Sequence, residues 1–192
     1  VNWFAYVIHP SLFNALISLL TYYFLVNFKI GHINSLIYTL CFSLLAYTIS
    51  GTPFVDHHAT LFSLAAIYLI IIAFRNRNKN LWYFVVGLFY LSFLSKQVPA
   101  AYISVSVGII VAFILIKEKR FKEINLIFLS AAIFLLCVIF ILYLFNIDFK
   151  DFYLQYFQYP KTIGSSRFIN FDISYESFFN KYKFIVLPIF FI

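Results

Sequence analysis

Six stretches of this chain, residues 11–28, 34–50, 59–74, 81–95, 99–116 and 124–145, contain no charged side chain, and nothing else in the sequence limits the fold as much. A helix crossing a bilayer needs about 20 mostly apolar residues, somewhat fewer when it packs among other helices. Within hydrocarbon, every backbone N–H and C=O must find its partner inside the protein, which favours helices. The stretches are apolar all round rather than striped, as expected for helices surrounded by lipid and by one another. Composition agrees: 64% of residues are hydrophobic, 11% are charged, and the mean hydropathy is +0.93. Soluble domains are about half apolar and about a quarter charged. A water-soluble domain is excluded.

The expected fold is therefore all-α: a polytopic transmembrane helix bundle forming a single domain over 1–192. Six complete helices are followed by a truncated seventh at 184–192, and a loop at 148–183 carries a helix lying in the interface. The segments around Ala59 and Leu81 are the short ones and need not span fully. Methionine is absent even at position 1, and the last residues stop inside an apolar run, so the chain reads as an internal piece of a longer protein. Cys41 and Cys137 lie within apolar runs and read as small core residues.

Basic residues exceed acidic ones by 14 to 7. In a soluble chain this would suggest a nucleic-acid partner, but here most of the charge clusters in short turns between apolar runs. Lys29 marks one turn, Arg75, Arg77 and Lys79 a second, and Lys117, Lys119, Arg120 and Lys122 a third. Alternating helices put all three turns on one side, which the positive-inside rule makes cytoplasmic. The opposite side then receives residues 1–10, 51–58, 96–98 and 148–183.

Three features on that outer side carry candidate chemistry. In Ser50-Gly-Thr-Pro-Phe-Val-Asp-His-His58, Gly51 and Pro53 form a turn, and Asp56, His57 and His58 fall at the start of the next helix. Asp56 there serves as a helix cap, or joins His57 in holding a divalent metal, with the histidines also able to meet substrate. Lys96 is the only charge between Lys79 and Lys117, and Pro99 breaks the helix pattern just after it. A lysine at a helix end snorkels to headgroups; one beside irregular backbone in a cavity can bind phosphate, with Gln97 adjacent. His9-Pro10 opens the first apolar run. Beyond these, Asp151-Phe-Tyr-Leu-Gln-Tyr-Phe-Gln-Tyr159 fits an aromatic anchor or a lid, which Pro160 ends, with Arg167 following as a substrate-binding candidate. The chain has no phosphate-binding glycine loop, nucleophile elbow or nucleic-acid module.

The order of these features resembles the core of the GT-C membrane glycosyltransferases, of the dolichyl-phosphate-mannose protein mannosyltransferase and aminoarabinose transferase type in bacterial form. The resemblance spans about residues 9–116. Asp56 matches the family's Asp before a helix, and Phe93-Leu-Ser-Lys-Gln-Val-Pro99 is similar to its Leu-Thr-Lys-Gly-Pro-like segment, with Ser95 and Gln97 replacing Thr and Gly. His9-Pro10-Ser11-Leu12 resembles its His-Pro-Pro-Leu-like helix start. The resemblance implies transfer of a sugar from a polyprenyl-phosphate donor to a lipid, glycan or protein on the outer face of a bacterial inner membrane. It implies Asp56 and Lys96 as catalytic residues. It also implies that the family's main catalytic carboxylate precedes Val1, while His57 and His58 lie outside the family pattern. The alternatives are a transporter or channel subunit, which broken helices also suit, and a non-catalytic component of envelope-glycan export.

Overall fold

The computed structural model describes residues 3–48 and 55–162. The chain divides into two compact units, Val1–Leu144 and Phe145–Ile192. Among the described residues every element is helical and there is no strand. The first unit holds α1 (Trp3–Asn27), α2 (His32–Thr48), α3 (Val55–Asn76), α4 (Leu81–Ser95), α5 (Gln97–Lys117) and α6 (Phe121–Leu144).

Four helical segments are long and apolar enough to cross a membrane: Val7–Asn27, Val55–Asn76, Gln97–Lys117 and Phe121–Leu144. Two others, His32–Ala46 and Leu81–Ser95, are apolar but shorter. Three sequence boundaries need correction. The segment around Ala59 is not short, because α3 has 22 residues and so measures about 33 Å, enough for a hydrocarbon core of about 30 Å. His9 and Pro10 do not begin a helix; they lie within α1, because the apolar residues before them carry the helix back to Trp3. In a membrane helix a proline can be tolerated where neighbouring groups satisfy the freed carbonyl. The third boundary, Pro160, belongs to the second unit and is taken up with it. The seventh segment at 184–192 and the part of the outer loop beyond residue 162 lie outside the described residues, as does Arg167.

Between α4 and α5 the chain breaks as Pro99 requires. Lys96 is extended, and Val98 is non-helical at φ −115°, ψ 123°, the region that a following proline imposes. The Val98–Pro99 peptide is cis.

The core of the first unit is the antiparallel pair α3 and α4. Along α3, Ala59, Ser63, Ala66, Ile70 and Ala73 are all buried at alternating four- and three-residue spacing. Mostly small side chains in that row let the backbones approach closely, which is how helices associate where lipid removes the hydrophobic drive. Ser92 of α4 donates its hydroxyl proton to the Ala59 carbonyl at 2.6 Å. That proton being used, Ser63 is the donor in the 2.7 Å Ser63–Ser92 contact. Toward the other end, Ile70, Ala73, Trp82 and Val85 join Val111 and Leu115 of α5 in one apolar cluster. α6 packs on α4, with a close approach at Gly87. α1 packs on α3 through Phe13–Phe62 and Phe24–Tyr68, and α2 is held to α1 by Asn14, whose amide donates to the Ser43 carbonyl and hydroxyl at 3.1 and 3.0 Å.

The three basic turns share one end of this bundle. Arg75 lies over the Phe28 ring at 4.8 Å and Asn76 donates to Asn27 at 3.3 Å, joining the first two turns. Arg120 lies over Phe74 at 5.2 Å, and Trp82 donates from Nε1 to Glu123 Oε2 at 2.6 Å, joining the second and third. Lys29, Arg77 and Lys119 each take a left-handed backbone as the helix ends. Around Lys119, the Arg120 N–H reaches the Leu115 carbonyl at 2.8 Å and the Lys119 N–H reaches Ile116 at 3.0 Å, a Schellman cap. Basic residues at helix C-termini also complement the helix dipole.

In the second unit, Asp148 caps α7 (Phe149–Tyr153) by accepting from the Lys150 N–H at 2.9 Å. A π-helical turn, Leu154–Gln158, follows. Phe152 stacks on Tyr156 and Tyr153 on Phe157, so the aromatics sit one turn apart as their spacing predicts. Pro160 does not end the helix, which continues to residue 162. Here the Tyr159 N–H bonds the Leu154 carbonyl, five residues back. The widened turn just before Pro160 accommodates a residue that has no N–H to give.

Two experiments check this architecture. In a background with Cys41 and Cys137 replaced by alanine, Val55→Cys and Asn78→Cys should label with an impermeant thiol reagent from opposite faces of sealed vesicles. Labelling of both from one face would show that α3 does not span. A Cβ at Gly87 would sit 2.6 Å from Phe134 Cζ, so Gly87→Ala should lower stability by about 1–3 kcal/mol in thermal unfolding. Phe134→Leu in the same chain should recover part of that loss.

Candidate functional site

At the end of the bundle opposite the basic turns, the α3–α4 pairing brings together two of the residues singled out in the sequence, Asp56 and Lys96. Asp56 stands in the first turn of α3 and Lys96 at the break after α4. Because the helices run antiparallel with Ala59 against Ser92, the residues one turn farther out on each helix face one another. Lys96 Nζ forms an ion pair with Asp56 Oδ1. Their side chains remain 40% and 51% exposed, respectively. A pair so accessible to solvent contributes only about 0–1 kcal/mol, so a competing charge could open it at little cost.

The same end of α3 also carries a stack of rings shared with α1. His58, one turn into α3 and half-buried, lies 5.0 Å from the His9 ring and 4.6 Å from the Phe13 ring of α1. Phe13 meets Phe62 edge-on at 4.8 Å. His9 and Phe13 are four residues apart on α1, as are His58 and Phe62 on α3, so each pair occupies one helix face. His57 precedes His58 and is also half-buried, and Gln97 is the first residue of α5. The sequence pointed to His9 only weakly. The i, i+4 placement of His9 and Phe13 was the available signal, but it does not say which helix they meet.

Asp56 and His57 are the pair expected from the sequence at a divalent metal. Among the described residues no group of three or more His, Cys, Asp and Glu side chains is placed to hold a metal ion. Asp56, the carboxylate such a site would use, is paired with Lys96.

The opposite end has its own polar cluster, which sequence reasoning missed. Glu123 is 4% exposed and Trp82 wholly buried. Arg120 donates from Nε to Glu123 Oε1 at 2.8 Å, from Nη2 to Oε2 at 2.7 Å, and from Nη1 to Glu118 Oε2 at 3.1 Å. Burial by itself would lower the pKa of Arg120, but its hydrogen bonds to Glu123 and Glu118 and their charges outweigh this and hold it above the ordinary value. The guanidinium therefore stays charged across any working pH. The i, i+3 relation of Arg120 and Glu123 was legible, whereas the Trp82 donor 41 residues away was not.

No family model matches the chain, and no curated protein or solved structure matches it either.

The pair predicts a small structural effect. Asp56→Asn, Lys96→Gln and the double variant should each unfold within about 1 kcal/mol of the parent, and the double-mutant cycle should give a coupling of the same size or less. A coupling of several kcal/mol in chemical unfolding would make the pair a principal structural clamp.

Proposed function

We propose that this chain belongs to an integral-membrane glycosyltransferase of the GT-C type, which moves a sugar from a polyprenyl-phosphate donor to an acceptor on the extracytoplasmic face of a bacterial inner membrane. The observation that carries the reading is the meeting of Asp56 and Lys96, 40 positions apart in sequence, at the end of the bundle away from the basic turns. These two positions match the motifs of that family, and their shared location is what a common site requires.

In such a transfer the acceptor oxygen bonds to the anomeric carbon as the bond from that carbon to the donor phosphate oxygen breaks. The acceptor proton passes to a carboxylate base, and the departing lipid phosphate takes on negative charge. Lys96 is the fixed cation for that phosphate. In the resting protein Asp56 holds its ammonium at the helix break. The phosphate then competes with Asp56 for the lysine, at the small cost set by the pair's exposure. Gln97, which follows the lysine in sequence, and His58, two positions after the carboxylate, are the groups to meet the sugar or acceptor hydroxyls, and His57 takes a similar role. Arg167 remains a further candidate for the donor. The basic turns face the cytoplasm in this reading.

The full-length protein in nanodiscs tests it. Lys96→Gln should lower turnover by about 2–4 kcal/mol of transition-state stabilisation. Lys96→Arg should weaken donor binding, because a planar fork does not reproduce a compact ammonium. Asp56→Asn should cost at least about tenfold, or about 1.4 kcal/mol. Parent-like transfer by all three, with insertion intact, would reduce Lys96 to a headgroup anchor and Asp56 to a helix-end charge.

A further inference from the structure

We propose that the basic end of the bundle is a binding site for anionic phospholipid, with the third turn as its principal contact. In the described part of the first unit, the three turns hold eight basic side chains and two carboxylates, leaving this end at +6. The other end has one cation, Lys96, and it is matched by Asp56. The two carboxylates at the basic end do little to balance their surroundings, because one arginine takes both. Arg120 bonds Glu123 and Glu118, and Glu123 is further held by Trp82. Among the described residues the other seven cations have no carboxylate partner, and all of them are exposed.

The surroundings of these cations identify the ligand's chemistry. Lys117, Lys119 and Lys122 are flanked by Ile116 and Phe121, each 56% exposed, and the outward side of α5 continues through exposed Phe113. Charge and apolar surface adjoin on the same element. A free phosphate uses only the charge, and a nucleic acid has no acyl chain to lay along the apolar flank. An anionic phospholipid uses both, placing its phosphodiester among the lysines and its acyl chains along the apolar flank. The interaction is independent of the transferase reading, since none of these residues belongs to the candidate site.

The test uses the full-length protein in nanodiscs of phosphatidylcholine with and without phosphatidylglycerol, followed by detergent extraction and mass spectrometry of the lipid retained. The parent should retain phosphatidylglycerol preferentially. The variant combining Lys117→Gln, Lys119→Gln and Lys122→Gln should lose at least about fivefold of that preference, because the cations that meet the phosphodiester are gone. A control combining Lys150→Gln and Lys161→Gln, both in the second unit, should keep it. Undiminished preference in the triple variant would overturn the proposal. So would displacement of the lipid by inorganic phosphate at an ionic strength matched with sodium chloride, which would mark a site for free phosphate. If the triple variant does not fold, a salt titration of the parent decides. The preference should fall as salt screens the lysines, and a salt-independent preference would rule out this site.

Discussion

The close approach of α3 to α4 positions most of what is distinctive in the first unit. Hydrocarbon offers no water to compete for hydrogen bonds and no hydrophobic reward for joining two apolar helices, so association rests on fit and on polar contacts between helices. Ala59, Ser63, Ala66 and Ala73 provide the fit, and the Ser63–Ser92–Ala59 chain of hydrogen bonds fixes the register. Each such contact is worth on the order of 0.6 kcal/mol, so packing supplies most of the strength and the serines supply the alignment. From that register follow both ends of the pair. Outward of Ser92 the chains bring Lys96 to Asp56, and at the other end Trp82 is buried where Glu123 can accept its indole proton.

The two ends use charge in different ways. At one, a single half-exposed ion pair joins the start of α3 to the end of α4, an arrangement that is inexpensive to open. At the other, a buried carboxylate accepts three hydrogen bonds and is committed to structure. Removing one member of such a buried cluster would strand the rest, whereas an exposed pair loses little when one member goes. Arg120 thus joins the third turn to the second and takes both nearby carboxylates, while the neighbouring lysines stay exposed.

Much of the helical layout was legible because it depends on local properties. An uncharged apolar run marked each of the six helices, and α4 was read at its observed bounds, Leu81–Ser95. Pro99 marked the break before α5, because a proline dictates the backbone of the residue ahead of it. The misreadings came where a local signal was overridden. Pro10 lies within α1 because apolar residues precede it, and Pro160 lies within a helix because a π turn makes room for it. Asp56 lies in the first turn of α3, because the helix continues four residues before the uncharged run, through polar Asp56, His57 and His58.

The sequence by itself determined that this is a helical protein built to cross a membrane, with its basic turns at one end. Those properties follow from hydropathy and charge read along the chain, together with the alternation of successive helices. It also picked out Asp56, His58 and Lys96 as side chains that the apolar background makes conspicuous. Only the tertiary structure decided which of them meet. The Asp56–Lys96 pair, the His9–His58–Phe13 stack and the Trp82–Glu123 bond join residues 40, 49 and 41 positions apart, and each contact depends on the register of one helix against another. That register is set by side-chain volume and by a pair of serine hydroxyls at the helix interface, quantities that periodicity and composition do not encode.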